Sequence, residues 1–250
     1  RCVLSGIKTD PHNWFMSKMF DARDWNYAPA TETEDQAVAG NNSPANKIGE
    51  PIHTLIPYSD DLLIFGCDHS VFQMTGDPML GGRVDLVSDI TGMAWGRPWC
   101  RDPNGAVYFW GSRGGFYRLR PGESLERLSA TRIEERLARV DLNTYLVRLA
   151  WDDRQMGVLV FICPLTSAVA DHYWYDLRTD SFWLDHFEEP NHNPVAVHVF
   201  DGDLPDDRVV LLGGQDGYIR QFHQQAKTDD GTLIDSRVML GPLMVEQERV

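Results

Sequence analysis

Three stretches of the chain repeat one pattern of apolar and polar positions. Leu62-Leu63-Ile64-Phe65-Gly66 is followed by Cys67-Asp68-His69-Ser70 and then by Val71-Phe72-Gln73-Met74. Ala106-Val107-Tyr108-Phe109-Trp110-Gly111 leads through Ser112-Arg113-Gly114-Gly115 into Phe116-Tyr117-Arg118-Leu119, and Val209-Val210-Leu211-Leu212-Gly213 leads through Gly214-Gln215-Asp216-Gly217 into Tyr218-Ile219-Arg220-Gln221-Phe222. Each reads as an apolar strand, a polar turn and an alternating aromatic strand. β-Branched and aromatic residues fit pleated surfaces, and Gly, Asp and Ser supply the turn conformations, so the pattern predicts antiparallel hairpins.

A longer fourth copy runs from Val158-Leu159-Val160-Phe161-Ile162-Cys163 to His172-Tyr173-Trp174-Tyr175-Asp176, and a poorer fifth pairs Val3-Leu4-Ser5-Gly6 with Trp14-Phe15-Met16-Ser17-Lys18-Met19. With Gly66, Gly111, Cys163 and Gly213 as markers, the steps are 45, 52 and 50 residues. A near-constant step of that size suits one four-stranded blade per repeat. The expectation is an all-β fold, a β-propeller with about five blades visible, whether complete or incomplete, occupying residues 1–235. The alternative is a β-sandwich whose hairpins are spaced by chance. Asp21-Ala22-Arg23-Asp24-Trp25 echoes Asp176 to Trp183, and both place an acidic turn before a Trp expected to plug the space between blades.

Three segments break the pattern. Residues 28–50 have hardly a large apolar side chain and are expected as an exposed arm or loop. Residues 129–140 place Ser129 before Ile133, Leu137 and Val140, with Glu134-Glu135 early and Arg136 and Arg139 late, which predicts one short capped amphipathic helix. Residues 236–250 read as two strands about Gly241-Pro242 that close the ring or lead into a missing domain. The chain opens on Arg1 and is strand-like at once, so a natural start upstream is expected.

Composition narrows the function. The 250 residues carry 23 basic and 37 acidic side chains, a formal net charge of −14, which argues against grip on nucleic acid through phosphate neutralisation. Eight Trp, eight Tyr and eleven Phe favour strands and interfaces. No apolar run is long enough for a membrane span. Cys2, Cys67, Cys100 and Cys163 are far apart, with no C-x-x-C pair, and are read as free buried thiols.

The search for chemistry finds little. His186, His192 and His198, with Glu188 and Glu189, form the densest histidine cluster, but their spacing matches no metal-ligand pattern and Pro190 and Pro194 interrupt it. The sequence has no nucleophile elbow, Walker loop or dinucleotide fingerprint, so neither metal nor cofactor is expected and no catalytic residue is named. The paired carboxylates Asp60-Asp61, Asp152-Asp153, Asp206-Asp207 and Asp229-Asp230 sit where turns favour Asp for backbone reasons. Arg113, Arg118 and Arg120, interleaved with Phe116 and Tyr117, are the one local basic-aromatic patch and the candidate DNA-facing residues. Trp25, Trp110, Trp174 and Trp183 are the candidate interface or packing aromatics.

The runs Ile48-Gly49-Glu50-Pro51-Ile52, Leu55 to Cys67, Thr75-Gly76-Asp77-Pro78, Gly81-Gly82-Arg83, Trp99 to Gly105 and Val238-Met239-Leu240-Gly241-Pro242 resemble propeller-containing structural proteins of tailed bacteriophages and prophages. The resemblance spans roughly residues 48–243 and looks like tail nozzle or tail-hub components. It implies a non-enzymatic virion protein, assembled in the host cytoplasm into a homo-oligomeric, commonly hexameric ring. Its partners would be the portal, adaptor or other tail proteins, with DNA passing transiently through an acidic exit channel. Nozzle chains are usually much longer, which suggests that this is the propeller part alone. The alternatives are a cellular protein-interaction propeller and a carbohydrate-binding or glycan-hydrolysing one.

Overall fold

The computed structural model describes residues 1–166, 170–187, 189–223 and 226–235. Among them, strands form five antiparallel meanders in chain order. The first holds β1 (Val3–Ile7), β2 (Asp10–Met16) and β3 (Val38–Ala39); the second holds β4 (Ile52–Ser59), β5 (Leu62–Cys67), β6 (Val71–Thr75) and β7 (Arg83–Ser88). The third holds β8 (Trp99–Arg101), β9 (Val107–Trp110), β10 (Phe116–Leu119) and β11 (Glu126–Arg127). The fourth holds β12 (Tyr145–Asp152), β13 (Gly157–Pro164), β14 (His172–Asp176) and β15 (Ser181–Asp185). The fifth holds β16 (Pro194–Phe200), β17 (Val209–Gly214) and β18 (Ile219–Phe222), and a separate hairpin follows, β19 (Thr228–Asp229) with β20 (Thr232–Leu233).

Period-2 alternation explains how these sheets stack. On β13, Val158, Val160 and Ile162 face one apolar cluster, and Leu159, Phe161 and Cys163 face another. On β9, Tyr108 and Trp110 join the first of these, whereas Val107 and Phe109 turn to the second sheet. Successive side chains point to opposite faces, so a strand apolar at every position must be covered on both. Four such clusters lie between the five sheets, each joining a sheet to the next. Burying one Val, Leu, Ile or Phe side chain contributes roughly 2 kcal/mol, so these interfaces outweigh any turn contact. A sandwich would have one core between two sheets. Serial cores between consecutive meanders define a propeller-type fold.

The inner edge follows from the same contacts. β12 runs against both β8 and β16, and β1 runs against β4, so the first strands of the sheets gather along one side. The hairpins seen as a repeat are the second and third strands of sheets two to five: β5–β6, β9–β10, β13–β14 and β17–β18. At Gly66 itself a Cβ would fall 2.6 Å from Met93, in the segment that leads into the next sheet. The poorer copy at residues 3–19 is out of register. It pairs first and second strands, since β1 and β2 stand against β4 as β12 and β13 stand against β16.

Two irregular segments also differ from expectation. Only the first part of 28–50 is largely exposed; β3 pairs with β2, and Ala45 and Ile48 are buried between sheets one and two. Small side chains are what that position needs, because a Cβ on Gly40 would meet Trp14 Nε1 at 2.6 Å. The helix shortens to α1 (Glu134–Ala138), with Ile133 at its N-cap and no side-chain cap. Ser129 is spent elsewhere: its buried hydroxyl accepts from Phe116 N at 3.0 Å and donates to Glu134 Oε2 at 2.5 Å. The reading of 236–250 lies outside the described residues. No described helix is long and apolar enough to cross a membrane.

Candidate functional site: the basic mouth at the inner strands

The segment between β7 and β8 runs along β4 and carries residues 93–98 to the inner edge. Met93 O lies 3.0 Å from His53 Nδ1, and Gly96 O accepts from Thr54 Oγ1 at 2.7 Å. From the fourth sheet, Arg148 on β12 brings its guanidinium so close that a Cβ on Gly96 would lie 2.9 Å from Nη1. Gly96 also has φ +89°, which only glycine adopts freely. Sheets two and four therefore meet at one residue of the segment that leads into sheet three.

Around it the surface is aromatic and cationic. The His53 ring stacks on Trp95 at 4.0 Å and 21°, and its Nε2 lies 3.1 Å from Asp68 Oδ1. Trp95 is half-exposed, at 50%. Arg97 lies over the Trp99 ring at 5.3 Å; Arg101 lies over Tyr58 at 5.4 Å and donates to Tyr58 O at 2.6 Å. Cation–π and carbonyl contacts hold these guanidiniums in place while leaving their charge uncompensated. Among the described residues, Arg97, Arg101 and Arg148 form no ion pair with a carboxylate, whereas Arg118, Arg120, Arg127 and Arg132 each do. The five first strands together carry His53, Arg101, Arg148 and His198 against a single acid, Asp152. In a chain of net charge −14, that is a local reversal of sign.

The residues singled out from sequence lie elsewhere. Arg118 is bound through Nε (3.0 Å) and Nη2 (2.5 Å) to Glu126, and Arg120 meets Glu123 at 3.4 Å. Arg113 is exposed and contacts His69 Nδ1 at 3.2 Å. These three do not form a free basic patch, because cross-strand and turn glutamates take up two of the charges. Trp110 is fully buried between sheets three and four, and Trp174 packs between sheets four and five. Trp183 is 61% exposed on β15, and Trp25 is half-buried in a loop, with Nε1 donating to Ala22 O at 3.0 Å. Neither of the last two plugs the space between sheets.

Chemistry-bearing groups do gather at a second place, a cleft of about 660 Å³ between β15, β18 and the β19–β20 hairpin. His192 Nδ1 lies 2.9 Å from Asp229 Oδ2, and Arg220 bridges Asp216 (2.9 and 2.6 Å) and Asp230 (3.0 Å). The Arg220 bonds pull the Asp216 carboxyl down to about 2, and burial raises that of Asp185. His186 lines this cleft, but His198 on β16 does not, and Glu188 lies outside the described residues. Among the described residues no three His, Cys, Asp or Glu side chains are placed to hold a metal ion. Of the Asp152-Asp153 pair, Asp152 Oδ1 accepts from Arg154 N at 2.9 Å in the β12–β13 turn, and Asp153 Oδ1 accepts from Trp151 Nε1 at 2.5 Å. All four cysteines are free, and burial pushes the Cys67 and Cys163 thiols up to about 12.

No family model and no curated protein matches the chain. Thirteen chains of solved structures do. One, described as "YCF48 bound to D1 peptide", has a TM-score of 0.41 and 12% identity over 85% of this chain and 79% of its own. No function passes from it to this chain.

Proposed function

We propose that the chain is a non-enzymatic structural propeller of a tailed-phage virion, a tail nozzle or hub component that assembles with copies of itself into a ring around the DNA exit. The observation that carries the assembly reading is the apolar surface left on both end sheets. On the first sheet Leu4 and Ile7 are 52% and 45% exposed; on the fifth, Phe200, Tyr218 and Ile219 are 48%, 69% and 75% exposed. Concentrated exposure of this kind marks surfaces that other protein covers. The phage-like phrases between Ile48 and Gly105 support the virion assignment. The inner strands β8, β12 and β16 run in contact, and so do β1 and β4, which favours a passage formed between copies over one along a single propeller's axis. DNA would pass through the middle of the ring, outside each propeller.

The test pairs electron microscopy of the purified protein with mass spectrometry of virions. Rings, or copies bound to tails, are expected. A monomer at tens of micromolar that is missing from virions overturns the proposal; if it captures a defined cellular partner instead, the interaction-propeller alternative replaces it.

A further inference from the structure

The loop after β2 presents an aromatic side chain to solvent with nothing over it. Phe20 is 98% exposed and its φ is +62°, a left-handed conformation that costs a bulky L-residue about 1 kcal/mol or more. The turn is nonetheless fixed: Lys18 N donates to Asp24 O at 2.8 Å, Asp21 N donates to Lys18 O at 3.2 Å, and Lys18 Nζ pairs with Asp35 at 3.3 Å. A constrained, strained and fully exposed Phe does nothing for the stability of the isolated chain. Around it, residues 18–35 hold Asp21, Asp24, Glu32, Glu34 and Asp35 against Lys18 and Arg23 alone. The arm is an acidic surface with an aromatic tip.

The mouth described above is its complement: a half-exposed Trp95 flanked by Arg97 and Arg148, whose charges no carboxylate meets among the described residues. We propose that the Phe20 arm of one copy docks on the Trp95 mouth of a second copy, with aromatic contact at the centre and arginines facing the arm's carboxylates. This rests on the ring reading above and adds to it a contact distinct from the apolar end-sheet faces. Engaged head-to-tail, as the ring reading requires, the contact repeats to close a ring or run on as a filament. Central aromatics shielded by a charged rim are the usual seat of interface energy, and the charges fix orientation and partner.

The experiment measures association of the full chain by sedimentation velocity over a concentration series. Phe20→Ser and Trp95→Ser should each weaken association at least about tenfold, and raising salt from about 0.05 to about 0.5 M should weaken the parent chain several-fold. An equimolar mixture of the two variants should form pairs and nothing larger, because only one intact arm and one intact mouth remain per pair. Thermal melts check that each variant folds; should Trp95→Ser fail, the exposed Arg97→Glu takes its place in the mixture. Variants that associate like the parent, or a mixture that stays monomeric, overturn the contact but leave the ring reading in place. Only a parent chain that is monomeric and missing from virions removes both.

Discussion

His172 gives the sharpest quantitative prediction. It stands on β14, 1% exposed, between Phe161 and Phe187, whose rings lie 5.6 and 5.2 Å from its own. Its Nδ1 accepts from Ile162 N at 3.1 Å and its Nε2 lies 2.8 Å from Asn193 Oδ1, an arrangement satisfied by the neutral ring with its proton on Nε2. A second proton would face the Ile162 N–H. Burial pulls the pKa from 6.5 down to about 4, against a smaller upward pull from Asn193. Because the folded value lies below the unfolded one, the unfolded chain takes up the proton first as pH falls. The contribution is whole above about pH 6.5, declines toward pH 4 and is flat below it. At 1.36 kcal/mol per unit the full span is worth about 3 kcal/mol, and the part lost by pH 5 about 2 kcal/mol. Urea unfolding at pH 7 and pH 5, compared between the parent chain and His172→Gln, isolates this term from the other histidines. Gln keeps a donor and an acceptor but cannot titrate, so its loss on acidification should be smaller by about 2 kcal/mol. Equal losses in the two proteins would refute the assignment, as would an imidazole titrating near pH 6 by NMR.

Two comparisons test the packing. Gly66→Ala should cost about 1–3 kcal/mol by urea melts, since its Cβ would meet Met93 at 2.6 Å. The same change at the equivalent Gly213, where the nearest atom is Ala196 Cβ at 3.5 Å, should stay within about 0.5 kcal/mol. Among the tryptophans, Trp110→Ala should cost roughly 3–5 kcal/mol, whereas Trp183→Ala should move stability by about 0.5 kcal/mol or less. A thermal shift of similar size for both would mean that β15 is covered after all.

How much of this was legible in the sequence depends on range. The β5–β6 and β17–β18 hairpins could be read because alternation and turn chemistry are local, and the markers Gly66, Gly111, Cys163 and Gly213 recur at a near-constant step. The register of the first hairpin could not, because only its contact with β4, far away in sequence, distinguishes a first strand from a second. Ser129 is the same kind of miss. Its spacing to Glu134 and Leu137 suits a helix cap, but the Phe116 N–H needs a partner at the end of the third sheet and takes the hydroxyl. Trp183 and Trp110 carry the same residue type in similar strands, and only the sheet order decides that one is core and the other is in solvent.

The mouth was missed for a related reason, and the reason bears on function. Trp95, Arg97, Trp99 and Arg101 stand in one basic-aromatic window that could have been read, but His53 and Arg148 lie about fifty residues to either side, so no window shows that they join it. Arg113, Arg118 and Arg120 form a visible patch, yet Glu123 and Glu126 neutralise two of them within the same hairpin. Charge that is close in sequence is readily paired in sequence; charge assembled by stacking is paired only if each blade supplies its own acid, and on the inner strands only Asp152 does so. A net charge of −14 therefore describes the outside of this molecule and not its inner edge. An acidic exterior that repels its copies, a basic mouth and an acidic arm together favour one orientation of approach over all others. That selectivity is what a subunit needs if it must add to a ring without aggregating.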